Sequence, residues 1–242
     1  MTDFILLWPK IHRYTLLQKS AAVTFGLESA NVVGYQTKTV KAGFSLNAPT
    51  FLDVNSDGFD LSNFKLGETA AGDGTEQIQV LDENGQNNEN WVWLNGNMGM
   101  EDGWYDAITW QPVTKKIVAG NGYLMNVAAD VEMTVAGQVK DSITTITLNA
   151  GFTVAGNNSP VNFDIQNIKI IDGAGDGTEQ IQVLDENGQN NENWVWLNGN
   201  MGMEDGWYDA VTWSPITYDV KPGEAFLINV VSEVQMTIPA AL

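Results

Sequence analysis

Two 40-residue stretches of this chain concentrate tryptophan, asparagine and carboxylate, a combination suited to holding a sugar. A pyranose presents an apolar C–H face that packs on an aromatic ring, and hydroxyls that need paired donors and acceptors. Residues 71–110 carry Trp91, Trp93, Trp104 and Trp110 with eight carboxylates and no basic residue; residues 174–213 carry Trp194, Trp196, Trp207 and Trp213 in the same setting. Trp91 and Trp93 are two apart in a short apolar run, so on a strand both project from one face. They are expected to form a platform beside Asn88, Glu89 and Asn90, as Trp194 and Trp196 would beside Asn191, Glu192 and Asn193. Trp104 with Tyr105, and Trp207 with Tyr208, follow a glycine that suggests a turn presenting a ring to solvent. About two of the four tryptophans per stretch are expected in a core. Trp110, after the alternating Ala107-Ile108-Thr109, is the leading core candidate.

The carboxylates raise a second chemistry, because hard divalent cations take oxygen ligands. Asp53, Asn55 and Asp57 followed by Gly58 are spaced like the opening of an EF-hand or dockerin calcium loop. Position 12, where a bidentate acid belongs, is Phe64, with Asp60 close by. An Asx-rich turn is the competing reading. Asp73 and Glu76, repeated as Asp176 and Glu179, are further oxygen ligands, as is the run Asp82-Glu83-Asn84. Calcium is therefore the candidate cofactor.

Catalysis has little to build on. The one histidine, His12, lies in an atypical N-terminal segment, and cysteine is absent. That leaves no cysteine nucleophile and no histidine-based triad in the body of the chain. A carboxylate pair drawn from Glu101, Asp102 and Asp106 is the remaining route, towards glycoside hydrolysis. A ~100-residue sandwich seldom supplies the deep cleft this needs, so no enzyme is expected.

The elements that must position these residues follow from the repeat. Residues 71–110 recur as 174–213 with one change, Ile108 to Val211. The offset of 103 continues to the C-terminus, where Gly120 matches Gly223 and Met133-Thr134 matches Met236-Thr237. Upstream, Ala42-Gly43-Phe44 matches Ala150-Gly151-Phe152 at an offset of 108, so copy 1 holds five extra residues between 46 and 71. Insertions of this kind fall in surface loops. The chain divides into a segment at 1–30, copy 1 at 31–139 and copy 2 at 140–242. Residues 1–30 hold the only arginine and a small-residue stretch at 21–23, and they read as a signal-like segment or an irregular arm.

Periodicity within each copy is that of strands, as in Val32 to Val40 and Gln77 to Val80. Asn84-Gly85, Asn95-Gly96 and Asn121-Gly122 are expected to form tight turns with positive φ. No helix period with caps occurs beyond residue 30. The expectation is an all-β protein of two tandem antiparallel β-sandwich-like repeats in close contact. A net charge of −19 disfavours nucleic acid and anionic membrane surfaces. No apolar run approaches the ~20 residues of a membrane-spanning helix.

The opening Asn31-Val32-Val33-Gly34-Tyr35, the Gly-Trp-Tyr-Asp motifs at 103–106 and 206–209, and the close Gly122-Tyr123-Leu124 with Met133-Thr134-Val135-Ala136-Gly137 carry a resemblance. The chain resembles secreted bacterial tandem-repeat surface proteins of the carbohydrate-binding-module type over most of residues 31–242. The resemblance implies a secreted or cell-surface module and no defined activity. These readings converge on a non-catalytic polysaccharide- or oligosaccharide-binding protein with two equivalent sites, with calcium as an assisting ion. The alternative is a structural surface-layer or filament subunit that self-assembles through its β repeats and N-terminal arm.

Overall fold

A computed structural model describes residues 4–5, 33–54, 56–81, 84, 86–184, 187 and 189–240. The signal-like reading of residues 1–30, apart from 4–5, lies outside them, as do Asn55, Asp82, Glu83 and Gly85. After β1 (Phe4–Ile5), copy 1 supplies β2 (Val33–Val40), β3 (Gly43–Asn47), β4 (Gly58–Asp60), β5 (Lys65–Leu66) and β6 (Asp73–Leu81). It continues with β7 (Asn87–Leu94), β8 (Gly103–Asp106), β9 (Lys116–Val118), β10 (Tyr123–Val127) and β11 (Val131–Gln138). Copy 2 supplies β12 (Thr144–Leu148), β13 (Gly151–Gly156), β14 (Phe163–Asp164), β15 (Lys169–Ile171) and β16 (Asp176–Leu184). It ends with β17 (Asn190–Leu197), β18 (Gly206–Asp209), β19 (Asp219–Val220), β20 (Ala225–Val230) and β21 (Val234–Ile238).

The protein is all-β, and among the described residues every strand pair is antiparallel. In copy 1 a sheet ordered β1-β2-β11-β5 faces one ordered β3-β10-β6-β7-β8. In copy 2 the sheets run β12-β21-β15 and β13-β20-β16-β17-β18. Among the described residues no sheet mixes strands of the two copies. Alternation decides what fills the space between the layers. Val131, Met133 and Val135 of β11 meet Tyr123, Met125 and Val127 of β10, with Ile78 and the indoles of Trp91, Trp93 and Trp104. The second core repeats this with Val234, Met236 and Ile238 against Phe226, Ile228 and Val230.

The turn expectations need correction. Asn95-Gly96 runs into a 3-10 turn over Gly96–Met98, and the positive φ falls at Gly99. At Asn121-Gly122 the positive φ belongs to Gly120 instead. A hairpin does join β6 to β7 around residue 84, in the register Gln77↔Val92 to Leu81↔Asn87.

The copies meet across a small apolar seam of Ala48, Val154, Ala225 and Leu227. Backbone hydrogen bonds cross it in matched pairs. Ala48 N–H donates to the Gly223 carbonyl at 3.0 Å, and Gly156 N–H donates to the Gly120 carbonyl at 3.0 Å. Ala48 matches Gly156 and Gly120 matches Gly223 between the copies, so the seam has local pseudo-two-fold symmetry, like an isologous interface.

Candidate functional site

The structure reverses the expected placement of the tryptophans. Trp91, Trp93 and Trp104 are buried, as are Trp194, Trp196 and Trp207. The face that Trp91 and Trp93 share is the inner face of the sheet. They pack there against Trp104, which stacks on Phe64 at 5.5 Å with rings 14° from parallel. A buried indole needs a partner for its N–H. Trp104 Nε1 donates to the Phe64 carbonyl at 3.1 Å, and Trp207 Nε1 donates to the Ile168 carbonyl at 3.0 Å. Tyr105 and Tyr208 are buried too, on the opposite sheet face, beside Val92 and Leu94 or Val195 and Leu197. Glycines 103 and 206 begin strands, so the rings beside them are not presented to solvent. The platform expected at these six tryptophans and two tyrosines is therefore core.

Trp110, expected in the core, is on the surface. It is 51% exposed and Trp213 is 50% exposed, with Ile108 at 86% and Val211 at 84% beside them. Strand β8 ends at Asp106, and the chain then turns instead of alternating. Asp106 Oδ1 accepts from Ile108 N–H at 3.0 Å, Thr109 N–H at 2.7 Å and Thr109 Oγ1 at 2.9 Å. Trp110 N–H donates to the Asp106 carbonyl at 2.9 Å, closing an i to i+4 turn. Trp110 is left at φ 56°, and Trp213 at φ 59° behind the same construction on Asp209. A left-handed φ is rare for a bulky residue and stores strain that only the surrounding bonds hold in place. These bonds, Thr109 first, keep the Asp106 carboxyl below the usual aspartate range; the bonds from Thr212 and Val211 do the same for Asp209.

Each turn is fastened to the polar half of its neighbouring strand. Ala107 N–H donates to the Asn90 carbonyl at 3.0 Å, and Ala210 N–H donates to the Asn193 carbonyl at 3.1 Å. Asn88, Asn191, Glu192 and Asn193 are exposed, and Glu89 and Asn90 are half-buried. Asn90 Oδ1 is buried without a partner. The turns thus adjoin Asn90 and Asn193 through the backbone, while Asn88 lines a separate cleft with Phe152 and Val154 where the copies meet. The near-identical blocks meet different neighbours here. Glu89 forms an ion pair with Lys115, whose counterpart in copy 2 is Tyr218, packed 5.1 Å from Trp194. Glu192 instead accepts from Trp194 Nε1 at 3.2 Å.

Several of the oxygen ligands considered for calcium accept from protein donors, among them Asp53, Asp60, Asp73, Glu76, Asp176 and Glu179. Asp53 Oδ2 accepts from Asp60 N–H at 2.8 Å, Asp53 Oδ1 accepts from Asn63 Nδ2 at 2.9 Å, and Lys116 lies 3.6 Å away. Asp60 caps the Leu61–Asn63 turn, and Asp57 precedes β4 with its carbonyl bonded to Ala119 N–H. Phe64, at the twelfth loop position, is core. Asp73 and Asp176 bind Thr75 and Thr178. Glu76 and Glu179 are buried, and each accepts two backbone N–H groups, Ala71 and Gly72 or Ala174 and Gly175. Among the described residues no group of three acids or histidines gathers to hold a metal.

No protein-family model matches the chain, and no curated protein or solved structure shows significant similarity to it.

Proposed function

We propose that the chain is a non-catalytic carbohydrate-binding protein whose two sites are the turns at 106–111 and 209–214. One observation carries the reading. The same tryptophan is held half-exposed in a strained, Asp-capped turn in both copies, fastened by a backbone hydrogen bond to Asn90 or Asn193 of the neighbouring strand. A ring fixed in this way loses little freedom when a sugar stacks on it, which reduces the cost of binding. The exposed Ile108 or Val211 widens the apolar surface, and the asparagines supply both donors and acceptors. The one difference between the 40-residue blocks is this Ile-to-Val change at a strongly exposed apolar side chain, where a methylene is little constrained.

A long polysaccharide would engage both turns, and the second contact would be intramolecular, with gains of about 10²-fold when the geometry permits. Titration calorimetry with oligosaccharides from a glycan screen tests this. Stoichiometry should be two, falling to one in Trp110→Ala and in Trp213→Ala, with no binding in the double variant. Binding unchanged in the double variant would refute the assignment.

The second reading, a self-assembling structural subunit, draws on β1. Phe4 and Ile5 pair with Gln36 and Tyr35 on the edge of β2, whereas among the described residues the corresponding edge of β12 carries no strand. An uncovered edge is a template for another chain. Light scattering over a concentration series separates the readings: a constant particle mass favours the binding protein, and growth with concentration favours the subunit.

A further inference from the structure

The pseudo-two-fold seam is filled differently on its two sides. Strand register matches Lys38 to Ile146 and Gln36 to Thr144, since Met133 faces Lys38 as Met236 faces Ile146. On one side Ile146 and Thr144 press on Gly120: a Cβ there would lie 2.5 Å from an Ile146 methyl and 3.1 Å from a Thr144 methyl. On the other side the Lys38 ammonium takes that place over Gly223, 3.0 Å from where a Cβ would stand. Beside it a cleft of about 550 Å³ opens, lined by Gln36, Lys38, Asn47, Lys221 and Glu224.

The cleft is a built polar site. Gln36 and Asn47 are both buried. Lys38 Nζ donates to Asn47 Oδ1 at 2.7 Å and to the Gly223 carbonyl at 3.0 Å, using two of its three protons. Among the described residues it forms no ion pair, although the chain holds 30 acidic residues. Burial pushes its pKa down to about 8, with Glu224 countering part of the shift. Glu224 itself is tied elsewhere, to the Tyr218 hydroxyl and to Lys221 N–H at 2.8 Å. An isoleucine fills the matched position without such a cost, and burying an unpaired ammonium is expensive. An ammonium with this cost, hydrogen-bonded but without a carboxylate beside it and set in a cleft, marks a candidate binding site.

We propose that the cleft between the copies binds a small organic carboxylate, held by Lys38 from β2 and by Lys221 from the turn before β20. The carboxylate would take the third Lys38 proton and complete an ion pair that the protein leaves open. The two lysines exceed the single Glu224 in charge, so the cleft favours an anion in a chain that is otherwise strongly acidic. The site lies apart from the tryptophan turns, and it does not depend on their role. In its counterpart Ile146 and Val118 stand at the positions of Lys38 and Lys221, so one carboxylate per chain is expected, against two sugars at the turns.

The test is calorimetry and ligand-observed NMR on the full chain with glucuronate, acetate and glucose, in the unmodified protein and in Lys38→Met and Lys221→Ala. Methionine keeps the length of the Lys38 stem without the charge, and Lys221 is exposed, so one variant or the other remains informative if folding suffers. Carboxylate should bind with a stoichiometry of one. Its affinity should fall about tenfold or more in Lys38→Met, as for loss of a hydrogen bond to a charged group, and by a smaller factor in Lys221→Ala. Saturation by glucuronate and acetate alike identifies a general carboxylate site, and saturation by glucuronate alone identifies an acidic sugar. Equal binding of glucose, undiminished binding in both variants, or no carboxylate binding up to tens of millimolar would each overturn the proposal.

Discussion

Trp110 at φ 56° allows a stability test whose sign is unusual. In a strand or helix, replacing alanine by glycine costs about 0.5–1 kcal/mol, because glycine loses more backbone freedom on folding. A left-handed conformation costs a non-glycine residue about 1–2 kcal/mol, and glycine escapes that cost. Trp110→Gly should therefore be more stable than Trp110→Ala by about 0.5–1 kcal/mol. Both variants lose the packing of the buried half of the ring. Half of a tryptophan's roughly 250 Å² at about 25 cal/mol per Å² puts that loss at up to about 3 kcal/mol below the unmodified protein. Urea unfolding measures both differences. A glycine advantage of that size is a rise of about 2 °C in Tm for a domain of this size. The control is Ala136→Gly in β11, an exposed strand position, where glycine should lower stability. Alanine equal to or better than glycine at both Trp110 and Trp213 would show that the turns carry no strain. The argument for rings held rigidly for a ligand would fall with it.

Three further outcomes follow from the same bonds. Glu76→Gln and Glu179→Gln should each cost about 2–3 kcal/mol in denaturant unfolding, because a buried carboxylate accepting two backbone N–H groups would be replaced by a group with one acceptor and one clashing donor; losses under half that would show that the loops rearrange freely. The carboxyls of Asp106 and Asp209 are held below the ordinary aspartate range in the folded protein, so their contribution is present above the unfolded value of about 3.9 and is lost as pH falls through the folded value. The acid-induced change in tryptophan emission should shrink in the double Asp106→Asn, Asp209→Asn variant, and an unchanged acid profile would count against the cap. Millimolar calcium added after chelator treatment is expected to leave Tm unchanged, since Asp53 already holds Asp60 N–H, Asn63 and Lys116; a rise that Asp53→Asn abolishes would place a cation there.

Much of the architecture is legible in the residues. The 103-residue repeat, the period of two at Gln77 to Val80 and the missing helix period lead to antiparallel strands in matched sets. The position of the polar residues is legible as well: Asn88 to Asn90 and Asn191 to Asn193 lie at or near the surface. What alternation cannot tell is which of two faces is inside. Trp91-Val92-Trp93-Leu94 is apolar on both, and only the packing of β11 over one face puts the indoles in the core, while Met100 and Ala107 cover Val92 and Leu94 on the other. Trp110 departs from the core expectation because Ala107-Ile108-Thr109 alternates as a strand would, yet Asp106 gathers the Ile108 and Thr109 N–H groups into a turn that leaves Trp110 at positive φ on the surface. An aspartate two and three residues ahead of bonded N–H groups is a turn signal present in the sequence. The seam cleft left no such trace. Lys38 and Lys221 are far apart along the chain, and only the docking of one copy on the other brings an ammonium to the place that an isoleucine fills across the pseudo-two-fold. Local chemistry along the chain determines strands and turns, because their bonds join near neighbours; which side is buried, and what meets at a seam, depends on surfaces contributed by residues distant in sequence.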